Sequence, residues 1–160
     1  MAIRCPLHSL IGALLAFMST IVITASAESL VQLDPFAQAT FGVRDCAVPP
    51  PPTMSELEAR AESHARVERG TRCAMEGTCE PGGAYRRDPE INEQVRALIS
   101  GDARFATSSV WLTTSRRWVT LRGCVRSATQ RRTLVDAVKH AGGVERVFDE
   151  LTLVRNTSRH

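Results

Sequence analysis

Cysteine is the residue type in this chain with the clearest potential for chemistry. Four of the five cysteines lie beyond residue 27, at positions 46, 73, 79 and 124. Cys73 and Cys79 enclose a short loop, CAMEGTC, whose glycine allows a turn, so we expect a disulfide between them. That pairing leaves Cys46 for Cys124. Zinc is the alternative, with His64 as a fourth-ligand candidate, but no CxxC pair is present and disulfides are favoured.

The N-terminus indicates a compartment in which disulfides form. Arg4 precedes an uncharged apolar run at residues 10–25, and the small residues of Ala25-Ser26-Ala27 stand directly before Glu28. This pattern is typical of a signal peptide, residues 1–27, that is removed on export. A transmembrane anchor is the alternative, but a run of about 16 residues is short for a bilayer. We therefore expect a periplasmic protein with no membrane span in the mature chain.

Catalytic motifs are missing from the sequence. His64, His140 and His160 stand in no recognisable catalytic pattern, and there is no G-x-S-x-G, phosphate-binding glycine loop or paired-carboxylate signature. Cys124 could be a nucleophile, but in an exported protein a structural disulfide is the stronger expectation. The sequence predicts no enzyme, no cofactor and no metal.

The charge is divided between the two parts of the mature chain. Residues 28–85 carry a net charge of −4, with five arginines against nine acids, and residues 86–160 carry +6, with fourteen basic residues against eight acids. A basic surface fits anionic lipid headgroups, whereas export argues against nucleic acid. The other interpretation is an ordinary solvated surface. The lipid-binding candidates are Arg116, Arg117, Arg126, Arg131 and Arg132.

Residues 28–85, the first segment of the mature chain, are predicted to form an extension that precedes a domain. Pro49 to Pro52 predicts a stiff polyproline II spacer. Ser55 and Glu58 form a capping box at the start of a helix that we expect to run to about Arg69, before Gly70. Its apolar stripe is thin, so this helix must pack on another element.

From residue 86 the periodicity is stronger. Asp88 is the expected N-cap of a helix with apolar residues at i, i+4, i+7 and i+8, closed by Gly101. Two strands follow within residues 108–127. A capping box at Ser127 and Gln130 starts a second helix, and an alternating strand ends the pattern. The order is α-β-β-α-β, which predicts an α+β fold with two helices on one face of a three-stranded mixed sheet.

The strands leave one feature unexplained. Their alternation places Val110, Leu112, Val119 and Leu121 on the face towards the helices. Trp111, Trp118, Cys124 and Phe148 fall on the other face, and an apolar surface of this kind needs a cover. The extension, fastened by a Cys46–Cys124 bond, could lay its helix there. Alternatively, Trp111, Trp118 and Phe148 form a docking face for a partner.

The segment at about residues 86–155 resembles the BON domain of bacterial osmotically induced periplasmic and nodulation proteins. The resemblance rests on DPEINEQVRALIS, on VTLRGCV with Gly123 as the hallmark glycine, and on GVERVFDEL. The chain departs from the family pattern in the turn TSRR, which lacks the usual glycine, and at Asp149, where asparagine is usual. Residues 156–160 form a tail, and a second BON copy is not visible.

This resemblance implies a non-catalytic protein that binds phospholipid membranes or contacts envelope proteins. Only Gly123 carries over from the family, as a structural residue that lets a helix or a neighbouring strand approach closely. We therefore expect peripheral binding to anionic phospholipid. Docking to an envelope protein through the tryptophan-bearing face is the alternative.

Overall fold

The computed structural model describes residues 29–154, so the predicted signal peptide and the tail at 156–160 lie outside the described residues. The strands are β1 (Leu30–Gln32), β2 (Phe36–Phe41), β3 (Thr53–Ser55), β4 (Ser109–Ser115), β5 (Trp118–Val125) and β6 (Arg146–Leu153). The helices are α1 (Glu56–Met75), α2 (Asp88–Gly101) and α3 (Ala128–Lys139), with a 3-10 turn at Ala103–Phe105.

The central sheet is mixed, but it has four strands rather than the three predicted. Its order is β2-β4-β5-β6, with only β5 and β6 parallel. The additional strand, β2, comes from the extension and pairs with β4. A register shift between Gln38 and Thr40 inserts one residue into β2. The bulge interrupts the two-residue alternation that would identify a strand in the sequence.

Helices α2 and α3 cover one face of this sheet, as the sequence predicts. The four apolar residues expected on that face are fully buried. They meet the apolar stripes of both helices in one core. The core also takes in Phe105, which the sequence analysis had not singled out. Its fully buried members include Ile91, Val95, Ile99, Leu112, Leu121, Leu134 and Val138.

Helix α1 begins where predicted and ends later than predicted. Ser55 forms the capping box with Glu58: its side chain accepts from the Glu58 N–H at 3.3 Å, and the Glu58 carboxylate accepts from the Ser55 N–H at 2.9 Å. The helix then continues through Gly70 to Met75. A Cβ at Gly70 would lie 3.1 Å from the Cα of Gly83. Gly70 therefore allows close packing of a loop against the helix and does not terminate it.

Both predicted cysteine pairs lie at disulfide distance. The Cα separations are 5.8 Å for Cys46–Cys124 and 5.3 Å for Cys73–Cys79. Sulfur atoms that are joined in a disulfide cannot act as thiolate ligands, so these four cysteines do not form the zinc site that was the alternative. His64, its candidate fourth ligand, lies on α1 beside Glu68, at 3.3 Å.

Candidate surface site at the Trp118 edge of the sheet

The two tryptophans on the second face of the sheet have different surroundings. Trp111 on β4 is 4% exposed, whereas Trp118 on β5 is only partly buried and Phe148 on β6 is 40% exposed. The face is therefore covered over β4 and open over β5 and β6. Trp111, predicted as a docking residue, is too deeply buried to meet a partner.

Residues 42–52 form a strap that is fastened to β4 and β5. At its start, the Gly42 N–H donates to the Ser108 carbonyl at 2.6 Å, and the Val43 N–H donates to Ser109 Oγ at 2.9 Å. The Cys46–Cys124 disulfide then fastens the strap to β5. A Cβ at Gly42 would lie 2.2 Å from the carbonyl oxygen of residue 106, so only glycine fits this close approach.

The proline run carries the strap along the sheet. Cys46, Pro49 and Pro52 are partly buried, while residues 47, 48, 50 and 51 are exposed. This period of three matches a polyproline II helix with one edge turned inward. From the Cys46 disulfide the strap leads to β3. Strand β3 pairs with β1, which lies just before β2 in the chain. We infer that the strap runs lengthwise over Trp111.

The expectation that helix α1 lies on this face stays a prediction. Helix α1 packs against β1 and β3 and against the segment before α2. There the Arg66 guanidinium stacks 4.5 Å from the ring centroid of Tyr85 and pairs with Asp34 at 2.9 Å. The thin apolar stripe of α1 is thus supported by ion pairs and by an aromatic contact.

The open half of the face holds an aromatic edge site, which consists of Trp118, Phe148, Arg116 and Arg146. The rings of Trp118 and Phe148 meet edge to face, with centroids 5.9 Å apart. The guanidinium carbons of Arg116 and Arg146 lie 5.0 Å and 4.9 Å from the indole centroid. Within residues 29–154 neither arginine forms an ion pair. The site therefore presents apolar rings beside two positive charges without carboxylate partners.

Arg146 was not among the sequence candidates, although the pattern contains a signal for it. It lies two residues before Phe148 on the same strand, and successive side chains alternate between faces. In the parallel pairing of β5 and β6, Arg146 stands directly opposite Trp118. Alternation alone would have placed Arg146 on the tryptophan-bearing face.

The turn between β4 and β5 positions Arg116. Arg116 and Arg117 both have positive φ, 56° and 64°, as the two central residues of a type I′ hairpin turn do. Such turns normally use Asn-Gly, because other side chains are strained there. The Asp88 carboxylate supports the strained turn by accepting from the N–H groups of Arg116 at 2.8 Å and Arg117 at 2.7 Å.

The prediction that Asp88 caps its own helix is therefore wrong. Asp88 is the first residue of α2, it is 2% exposed, and its carboxylate points to the hairpin turn. Burial raises the pKa of the Asp88 carboxyl, and the two backbone donors act in the opposite direction. A sequence pattern of aspartate followed by proline cannot distinguish a local cap from this long-range contact.

The five candidate lipid-binding arginines do not form one patch. Arg116 and Arg117 precede β5, whereas Arg126, Arg131 and Arg132 follow it. Arg116 lies over Trp118 on the second face of the sheet, whereas Arg131 and Arg132 belong to α3, which packs on the opposite face.

Several of these arginines also have partners within the chain. Arg117 pairs with Glu145, and Arg131 pairs with Asp149 at 2.7 Å. Arg126 donates to two backbone carbonyls, at 3.2 Å and 3.0 Å. Of the five, Arg116 is the exposed residue that lies beside an exposed aromatic ring.

Gly123 lies on β5 directly against the backbone of β4. Its φ is 121°, and a Cβ there would lie 2.1 Å from the carbonyl oxygen of Ser109. Any other residue would be strained and would collide with the neighbouring strand. This geometry gives a physical reason for a glycine at the position that the resemblance identified as a hallmark.

Two helices on one face of a mixed sheet, with aromatic rings and arginines on the other face, define a small α+β module. Residues 87–155 match the family model of the BON domain, the family that this segment resembles. No curated protein matches the chain. BON domains are in general non-enzymatic and bind membranes or proteins.

Two further observations concern the described part of the chain. No group of three or more His, Cys, Asp or Glu residues in it is placed to hold a metal ion. None of its helices is both long enough and apolar enough to cross a bilayer.

Proposed function

We propose that this protein is a non-catalytic, exported BON-domain protein that binds anionic phospholipid surfaces peripherally. The observation that carries the proposal is the aromatic edge site, in which Arg116 and Arg146 lie over the partly exposed ring of Trp118. The binding element is thus one edge of the sheet and not the arginines of α3.

The chemistry of the site fits the boundary between lipid headgroups and acyl chains. Tryptophan prefers this boundary, because its ring is apolar and its N–H can remain hydrated. Arginine binds phosphate oxygens through a planar fork of donors, and each basic residue near an anionic surface contributes about 1 kcal/mol. Phe148 adds apolar area directly beside the indole.

A periplasmic location supports the same proposal. The first 27 residues have the signal-peptide pattern, and two disulfides are typical of an oxidising compartment. A protein released there meets the surfaces of the envelope membranes, where anionic headgroups are available.

The test is sedimentation with vesicles of phosphatidylglycerol and phosphatidylcholine, compared with phosphatidylcholine alone. We expect binding to the anionic vesicles that weakens with added salt. Arg116→Asn should reduce the affinity about fivefold, which corresponds to the loss of one basic contact. Asparagine tolerates the positive φ of this position, so the hairpin turn should be retained.

Arg132→Asn is the matched control. It removes the same charge from an exposed position on α3, on the opposite face of the sheet from the aromatic edge site, so its binding should remain close to wild type. An equal loss in both variants would mean that binding depends only on net charge. Absence of binding to anionic vesicles would refute the proposal and favour docking of an envelope protein through Trp118 and Phe148.

A further inference from the structure

We propose that β6 is a dimerisation edge, at which two copies of this chain pair antiparallel about Phe148. Strand β6 is an edge of the four-stranded sheet, and most of its residues are exposed. It runs for eight residues without a bulge or proline. Edges of this kind readily pair with another strand.

The hydrogen bonding of β6 defines which part of the edge is free. The Val154 N–H donates to the carbonyl of Val125 on β5 at 2.9 Å, so even-numbered residues of β6 turn their backbone groups inward. The Leu151 N–H instead donates to the Asp149 carboxylate at 3.1 Å, as expected for an outward-facing odd residue. Val147 and Asp149 share that outward orientation.

Both ends of this free segment are closed. The Leu151 N–H is capped by Asp149, and before the strand the Glu145 N–H is bonded to the Arg117 carbonyl at 2.9 Å. Between these points the outward backbone groups belong to Val147 and Asp149, which are symmetric about Phe148. The Arg131 guanidinium reaches the Asp149 carbonyl only at 3.5 Å. The free segment therefore fits a two-fold axis at Phe148.

The charges favour the same register independently. An axis at Phe148 places Arg146 opposite the second copy's Glu150, and the reverse pair is formed by symmetry. Glu150 also pairs with Arg122 of its own chain at 2.7 Å, so Arg146 would join an existing ion pair. Opposite charges directly across two strands are favourable, and like charges are unfavourable. Moving the axis to Asp149 or to Glu150 would place that carboxylate against its own copy. An axis at Val147 would leave Arg146 opposite Phe148 without any opposite-charge pair.

The contact would also cover apolar surface. The two Phe148 residues would form a non-hydrogen-bonded pair, in which Cα atoms are about 4.5 Å apart and side chains are closest. Phe148 is 40% exposed in the single chain. The paired segment is short, so we expect a weak dimer that depends on concentration.

Dimerisation would join the two sheets into one of eight strands. Arg146, Phe148 and Trp118 share a face, so the two aromatic edge sites would lie on the same side of the joined sheet. A contribution of the dimer to lipid binding rests on the proposed function, but the dimer itself does not. The dimerisation experiment contains no lipid, so either proposal can fail without the other.

The test is sedimentation equilibrium of the oxidised chain from about 10 μM to about 1 mM, the range expected for a small interface. We expect the average mass to rise towards two chains. Arg146→Glu and Glu150→Arg should each remain monomeric, because each places like charges opposite one another. An equimolar mixture of the two variants should dimerise again, since both cross-strand pairs then have opposite charges. Arg132→Glu, with the same charge change on α3, should behave as wild type.

A second variant captures a weak dimer covalently. Phe148→Cys would place two thiols at a separation that suits a disulfide, so oxidation should crosslink it efficiently. Thr129→Cys provides a matched exposed cysteine on α3 that should not crosslink above background. Self-association of Arg146→Glu at wild-type strength would overturn the register. A monomeric wild type together with equal crosslinking of the two cysteine variants would overturn the dimer.

Discussion

Removing the Cys46–Cys124 disulfide is expected to destabilise this protein much more than removing Cys73–Cys79. The first bond joins residues 78 positions apart, and the second joins residues 6 positions apart. The entropy that a cross-link removes from the unfolded chain increases with loop length. The loop-closure relation gives about 4.5 kcal/mol for the long loop and about 2.2 kcal/mol for the short one.

The structural consequences also differ. Cys46 fastens the strap over Trp111, so its loss weakens the cover of a large apolar side chain that is now 4% exposed. The Cys73–Cys79 loop lies at the end of α1 and cross-links only residues that are close in the chain. Total stabilities of domains are about 5–15 kcal/mol, so a loss of 4.5 kcal/mol is a large fraction.

The comparison uses Cys46→Ser/Cys124→Ser and Cys73→Ser/Cys79→Ser, each unfolded in urea without reductant. Tryptophan fluorescence reports directly on the strap, because Trp111 lies beneath it. The first variant should lose roughly twice the free energy of unfolding lost by the second. Equal losses, or a larger loss for Cys73→Ser/Cys79→Ser, would contradict the assignment of the strap as the main cross-link.

Two further predictions concern single residues. Gly123→Ala should lower the free energy of unfolding by at least about 3 kcal/mol, because the positive φ and the collision with Ser109 both act against a side chain. In the same urea titration Gly101→Ala, which has open space around its Cα, should stay near wild type. Burial raises the pKa of Asp88 in the folded protein, so its contribution to stability is greatest below the ordinary aspartate pKa and is lost as the pH rises through the folded value. The free energy of unfolding of wild type minus that of Asp88→Asn should therefore decrease with rising pH, and a constant or increasing difference would exclude this explanation.

Much of the fold could be predicted because local patterns coincide with the final packing. Both helices over the sheet have apolar stripes that end up in the core. Ser55 and Ser127 cap the helices that they precede in the sequence. The alternation of β4 and β5 assigned their residues to the correct faces, and loop length alone led to the correct cysteine pairs.

The remaining features depend on contacts between distant segments. Strand β2 carries a bulge that removes its alternation, so its place beside β4 follows only from pairing. Asp88 reads as a cap, yet its carboxylate holds a turn 28 residues away in the chain. The aromatic edge site joins the start of β6 to the β4–β5 turn, so Arg146 and Arg116 meet only through the parallel pairing of β5 and β6.

The extension determines which part of the sheet a partner can reach. Strand β2 takes the edge of β4, and its own outer edge is interrupted by the bulge between Gln38 and Thr40. The strap covers the second face over Trp111. Within residues 29–154 the sheet therefore remains open at β6 and at the exposed side of Trp118, where the unpaired charges of Arg116 and Arg146 also lie. Covering one tryptophan and leaving the other would direct the proposed lipid binding and the proposed self-association to one side of the domain.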